Sequence, residues 1–231
     1  MGTLQLSEFR SELRFNLGNR TAADGTTDTR CNRWINGAYR HMTFPMIHDF
    51  RETHATYDLT LVADQSTYNI DATTVGFKFL GVRSVVNYLE TVSDLARKRT
   101  LYPRNIRWFD RRTLHSGTPS LYAVENEVLH IASVPTSAEA GQTVRVRGWR
   151  ELARLSADSD VTAVADYFDE VLLLGAQWFA ERSLRYMDRA ERTKQEYVAL
   201  LNDAQPSEEL EGENWDFQVD VNPHGQNRGM M

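Results

Sequence analysis

The chain has 231 residues, 41% hydrophobic and 25% charged, with a net charge of −6. That length supports one good core, or one body carrying an inserted lobe, and the acidic balance argues against a protein whose main business is coating nucleic acid. Cys31 is the only cysteine, which excludes an intrachain disulfide and a Cys-rich metal site.

The charge is unevenly placed. From Pro206 onward six acids (Glu208, Glu209, Glu211, Glu213, Asp216 and Asp220) face one base, Arg228, so a near-neutral body carries an acidic tail. The N-terminal MGTLQLSEFRSELRF contains acids and no long apolar stretch, so it does not read as a signal peptide. The longest apolar run, VLLLGA at 171–176, is too short to cross a membrane. The expectation is a soluble chain from a reducing compartment.

In chain order, Leu6, Phe9, Leu13 and Leu17 recur at helical spacing, and Gly18 supplies the left-handed turn that ends the segment. After a loop of Thr, Asp and Gly, Thr27 or Asp28 can cap a second helix. Its apolar face is Cys31, Trp34, Ile35, Ala38 and Met42, and Pro45 stops it. From about Ala55 the period changes to two: Tyr57, Leu59 and Leu61 alternate, as do Tyr68 and Ile70. GFKFLGVRSVVNYL is rich in aromatic and β-branched residues, and LYAVENEVLHIASVP predicts a hairpin turning at Glu125-Asn126-Glu127. TVRVRGW alternates Val144, Val146 and Trp149, and Ser116-Gly117-Thr118-Pro119 is turn chemistry between strands.

The helical period returns from about Ala163 to Ala204. Asp166 is a candidate cap, and Tyr167, Val171, Leu174, Trp178 and Glu181 track one stripe, widened by Leu172, Gly175, Ala176 and Phe179. Ala190, Lys194, Tyr197 and Leu201 then give a narrower face, with Asp188 a second candidate cap. The pattern fits one helix, or two that turn near Tyr186 to Asp188. The remainder, PSEELEGENWDFQVDVNPHGQNRGMM, has no helical period and is expected to be unfolded or extended when alone.

The fold class this order predicts is α+β: a helical bundle of N- and C-terminal helices, an inserted, mostly antiparallel β lobe, and an extended C-terminal tail. The expected boundaries are 1–54 for an N-terminal helical hairpin, 55–150 for the β lobe, 151–204 for the closing helices and 205–231 for the acidic tail.

Candidate chemistry is sparse. His41, His48, Asp49, Glu52 and His54 cluster in HMTFPMIHDFRETH, and on a helix His48 and Glu52 would share a face as a metal pair. No recognised ligand spacing is completed, and a solvated connection into the first strand accounts for the cluster as well. Glu170, Glu181 and Asp188 could pair carboxylates for acid–base work, although such groups more often edge an amphipathic helix. No G-x-S-x-G elbow, P-loop or G-x-G-x-x-G is present. The sequence points to no enzyme, no cofactor and no metal.

The most unusual stretch is RKRTLYPRNIRWFDRR at 97–112, whose seven cations are Arg97, Lys98, Arg99, Arg104, Arg107, Arg111 and Arg112. They interleave with Leu101, Tyr102, Ile106, Trp108 and Phe109. Cations neutralise phosphates and rings stack on bases, so a DNA groove is one reading. An edge that meets an acidic partner and a plain solvated face are the others. Tyr102-Pro103 suggests a turn in its middle, and in a strand Trp108 and Phe109 would point to opposite faces.

Taken together, these features resemble the head-to-tail adaptor (connector) proteins of tailed bacteriophages. The likeness rests on LSEFRSELRFNLG, a Thr/Asp loop leading into CNRWINGAYRHM, then GTPSLYAVENEVLHIASVPTSAEAGQTVRVRGW and YFDEVLLLGAQWFAERSL. It covers most of residues 4–204, while the tail is matched only by analogy. The resemblance implies a structural virion protein that sits as a dodecameric ring beneath the portal at the phage neck. Its implied partners are the portal protein, neighbouring copies in the ring, a downstream tail or nozzle protein, and non-specific double-stranded DNA in the channel. No membrane is implied, and assembly is expected in the host cytoplasm. Under this reading the seven cations form a protein interface, and the tail binds the portal through Trp215 and Phe217, steered by Glu208, Glu209, Glu211 and Glu213. Competing readings are a DNA-binding assembly factor, or another neck ring protein such as a stopper or tail terminator.

Overall fold

The computed structural model describes residues 2–47, 49–89 and 97–203. Among these the fold is α+β, with six α-helices and one seven-stranded mixed sheet. Helices α1 (Leu6–Asn16) and α2 (Asp28–Met42) come first. Leu6, Phe9 and Leu13 form the buried stripe of α1, and Gly18, at φ 88°, ends the turn beyond it. Thr27, one of the two candidate caps, accepts from the Arg30 N–H at 3.4 Å, and Cys31, Trp34, Ile35, Ala38 and Met42 are all buried.

The helical stretch near the C-terminus is two helices, the fifth and sixth in chain order, α5 (Phe168–Ser183) and α6 (Met187–Asp203). Arg185 adopts φ 65° at the turn that separates them. Gly175 on α5 allows the closest approach: a Cβ there would lie 3.1 Å from Ala38 of α2 and 3.0 Å from the Tyr197 ring of α6. The narrow face of α6 is Ala190, Thr193, Tyr197 and Leu201. Lys194, expected on that face, is exposed; Thr193 takes the inward place, where its hydroxyl donates to buried Glu181. One apolar core joins α1, α2, α5 and α6.

The sheet follows the order β1-β7-β3-β4-β5-β6-β2. Its strands are β1 (His54–Thr60), β2 (Thr67–Asn69), β3 (Phe79–Tyr88), β4 (Lys98–Pro103), β5 (Leu121–Glu125), β6 (Val128–Ala132) and β7 (Thr143–Arg150). Every pairing is antiparallel except β4 with β5. All seven strands or their ends supply side chains to a second apolar core, which includes Leu59, Tyr68, Val85, Leu101, Tyr122, Ile131 and Val146, so the sheet curls around it. The β5–β6 hairpin turns where expected, with Asn126 and Glu127 at φ 50° and 62°, the left-handed pair of a two-residue turn. In β7 the inward residues are Val144, Val146 and Gly148, so Trp149 falls on the opposite face from the one its spacing suggested.

Two short helices lie on the lobe, α3 (Ala72–Val75) and α4 (Ile106–Asp110). Asp71 caps α3 by accepting from the Thr74 N–H at 2.7 Å, and Asn105 caps α4 by accepting from the Arg107 N–H at 3.0 Å. Phe109 of α4 packs with Ala123 and Ala132 in a small third cluster outside β5 and β6.

Candidate functional site

The basic stretch does not turn at Tyr102-Pro103. Those residues are the end of β4, which lies inside the sheet and pairs antiparallel with β3 and parallel with β5. Only Leu101 of β4 is buried, so Lys98, Thr100 and Tyr102 share the opposite, outer face. Tyr102 is 66% exposed there. The sharp change of direction comes at Arg104-Asn105, where the Asn cap starts α4. Trp108 and Phe109 are therefore consecutive helix residues rather than the two faces of a strand, and their rings meet edge to face at 5.3 Å.

All seven cations of the stretch, Arg97, Lys98, Arg99, Arg104, Arg107, Arg111 and Arg112, are exposed. Arg112 lies over the Trp108 ring at 5.0 Å. Lys98, Arg99, Arg104, Arg107 and Arg111 form no ion pair with any described residue. The strands toward the β1 edge of the sheet behave differently: Arg145 of β7 grips Asp58 of β1 with two hydrogen bonds of 2.8 Å and lies 5.2 Å over the Tyr88 ring. The Asp58 carboxylate holds the Arg145 guanidinium above its already high ordinary pKa. Arg145 is neutralised by a described carboxylate, whereas Lys98, Arg99, Arg104, Arg107 and Arg111 stand exposed on and beside a strand and a capped helix.

The carboxylates considered for catalysis are not assembled. Glu181 is fully buried, where it accepts from Thr193 Oγ1 at 2.7 Å and Gln177 Nε2 at 2.9 Å and pairs with Arg189 at 3.2 Å. It ties α5 to α6. Glu170 and Asp188 are exposed, and no hydrogen bond joins either to Glu181. Asp169, which the sequence did not single out, is buried and accepts from the Thr3 and Leu4 N–H groups at 2.8 and 3.0 Å, stitching the N-terminal segment to the start of α5.

The histidine cluster is dispersed as well. The described residues between α2 and β1 form no α-helix, only a 3-10 turn at Arg51–Thr53, and His48, one half of the expected metal pair, lies outside the described residues. Asp49 bonds His54 Nε2 at 2.8 Å and accepts from Trp149 Nε1 at 2.7 Å, and these bonds hold its carboxyl below the ordinary range despite burial. His41 instead bonds the Tyr197 hydroxyl at 3.0 Å, and burial pushes its pKa down. Among the described residues no three His, Cys, Asp or Glu side chains gather as a metal site. No described helix is long and apolar enough to cross a membrane.

The expected portal-binding residues Trp215, Phe217, Glu208, Glu209, Glu211 and Glu213 lie outside the described residues. Sequence reasoning missed the exposed apolar residues Phe44, Met46 and Ile47 after α2 and Val198 and Leu200 on α6. Their signal was present in TFPMI, an apolar loop where a polar one is usual.

Set beside known proteins, residues 4–220 match the model of the SU10 adaptor protein family. The chain belongs to that family. No curated protein matches it. The SU10 adaptor family is one of structural phage proteins. Its match extends past the helices to residue 220 and so takes in Trp215 and Phe217.

Proposed function

We propose that this SU10 adaptor forms a dodecameric ring at the neck of a tailed phage, joining the portal to the tail while the genome passes through the centre. The family match over residues 4–220 is the observation that carries this reading. The helical hairpin of 1–54 and the helices of 151–204 close into a bundle that makes the ring body, and the lobe of 55–150 projects from it. Ring contacts of this kind are heterologous, one face of a copy meeting a different face of the next, and close by rotation. The five exposed cations that form no ion pair among the described residues suit the docking edge, since complementary charge steers association. Residues 205–231 are the portal-binding tail, with Trp215 and Phe217 as anchors, because aromatics at an interface centre commonly carry most of the binding energy.

Electron microscopy of the purified protein mixed with its portal tests the reading. The expected image is a ring of adaptor on the portal's tail-side face, with light scattering of the adaptor alone showing monomer or weak association. A mixture that never forms a ring overturns it. Titration with duplex DNA at rising salt separates the assembly-factor alternative: DNA binding falls steeply with salt through counterion release, whereas a packed protein interface does not. Changing Trp215 and Phe217 to Ala should leave the circular dichroism of the body intact and weaken portal attachment.

A further inference from the structure

Beside the loop that follows α2, the last turns of α6 border an open groove of about 330 Å³. His41, Trp178 and Tyr197 form its floor, and Met46, Ile47 and Val198 its rim. The floor is aromatic: the Trp178 and Tyr197 rings stack at 5.9 Å, and His41 meets Trp178 edge-on at 5.5 Å. The rim is apolar and uncovered by any described residue, with Met46 at 86% and Val198 at 41% exposure. Clefts of ~300 Å³ and above are large enough to bury aromatic ligands.

We infer that the segment Asn214-Trp215-Asp216-Phe217 of the same chain occupies this groove before assembly, with Trp215 on the aromatic floor. Four observations point to this occupant. Leu201 and Asn202 line the groove and Asp203 is the last described residue of α6, so residues 204 onward begin at the groove's own lip. Pro206 follows within three residues and cannot continue a helix, which favours a change of direction there. Trp215 lies twelve residues beyond Asp203, a reach of up to about 40 Å and ample for a return. The charge is complementary: Lys194 lines the groove, and Glu213 and Asp216 flank Trp215. Trp215 and Phe217, two apart, present to one side of an extended segment, so both rings can enter together. Seating them covers the apolar rim of the free protein and withholds the anchors until a partner competes for them. This inference rests on the reading of 205–231 as an anchor segment.

Disulfide trapping in the full chain tests it, since buried Cys31 is the only native thiol. The variant Met46→Cys with Asn214→Cys should form an intramolecular disulfide under mild oxidation, read as a mobility shift that dithiothreitol reverses. Adding Trp215→Ala and Phe217→Ala to that background should slow trapping at least tenfold. Equal trapping rates would mean that tethering alone brings the thiols together and would overturn the inference. So would disulfides that form only between a Met46→Cys chain and an Asn214→Cys chain, which would assign the groove to a neighbouring copy's tail. Portal attachment separates the two readings: trapped protein should fail to attach until reduced. Attachment unaffected by the disulfide would overturn the tail's role as portal anchor and leave the groove's occupant standing.

Discussion

Glu181 and Arg104 are both charged, yet one is enclosed between α5 and α6 and the other stands in solvent just beyond β4. The contrast extends to their surroundings. In the helical part, buried charges have multiple partners: Glu181 has Thr193, Gln177 and Arg189; Asp169 has two backbone N–H groups and Thr162; and Arg10 joins both Asp28 and Asp158. Removing a charge from water without such partners costs several kcal/mol, so these groups persist only because the fold satisfies them. In the basic stretch Lys98, Arg99, Arg104, Arg107 and Arg111 are exposed and form no ion pair among the described residues, so they stay hydrated at little folding cost. Paired charges hold the helical part together, and the proposed function assigns the outward ones to a partner.

The sharpest test of the first half is Glu181→Ala. It removes the common acceptor of Thr193 and Gln177 and leaves a void between two helices, a loss of about 3 kcal/mol for a buried, multiply bonded carboxylate. For a chain of this size that corresponds to a fall in Tm of roughly 8 °C. Glu181→Gln, which keeps the shape and an acceptor oxygen, should lose less than half as much. A Tm unchanged by the Ala variant would show that the buried set does not hold α5 to α6.

Arg145 sits between the two classes. Its side chain is 22% exposed, and its fork is matched to Asp58 across β1 and β7. A bidentate pair at a part-exposed site is worth about 1 kcal/mol, so Arg145→Gln should lower Tm by roughly 3 °C. Salt should close much of that gap, and a salt-independent loss would place the effect in packing on Tyr88 instead.

His41 gives a smaller, pH-dependent effect. Burial against Trp178 and Tyr197 disfavours its charged form, so its pKa in the fold lies below the ordinary value of 6.5. The unfolded ring takes up a proton near 6.5 and the folded ring only at lower pH, so protons favour unfolding in between. The contribution is therefore present above 6.5 and is lost as pH falls toward the folded value. Tm should decline on moving from neutral pH toward pH 5, and His41→Gln should flatten that slope. An identical slope in the variant would assign the decline to other groups.

Helix positions and the inward residues of most strands were legible because each buries one face against a core, which leaves a period of 3.6 or 2 in the sequence. β4 was not. It is paired on both sides through its backbone and buries Leu101 alone, so KRTLYP carries no alternation, and its parallel partner β5 lies past an intervening helix. Asn105 could have marked the start of α4, but five residues are too few to show a helical period. Trp149 was placed on the wrong face because Gly148, with no side chain, holds the inward position; a Cβ there would lie 2.1 Å from the Gly81 oxygen. The seven cations were legible as a group, whereas their outward display on β4 and α4 depends on pairings that composition does not encode. The apolar groove was missed for a similar reason: Met46 and Val198 are far apart in sequence and meet only once α2 and α6 have packed on α5.

The smallest expected effect on stability belongs to the residues expected to matter most for assembly. Arg104, Arg107, Arg111 and Arg112 are exposed, and only Arg112 touches a described side chain in a resolved interaction, the Trp108 ring. Exposed charges contribute well under about 1 kcal/mol each, and a cation over an exposed ring about 0.5 kcal/mol. Changing all four to Gln should thus shift Tm by no more than about 2 °C. Their helix needs none of them, since Asn105 caps it and Phe109 anchors it. Docking is a different matter: four charges removed from one edge weaken the field that steers a partner, which slows association and reduces its salt dependence. The expected outcome is a folded variant that attaches to portal or to neighbouring copies more slowly, with the deficit largest at low salt. If it also melts several degrees lower, the stretch belongs with the paired charges of the helical part. If it melts and attaches normally, it is a solvated face, and the division between structural and outward-facing charge fails at the point where it was drawn.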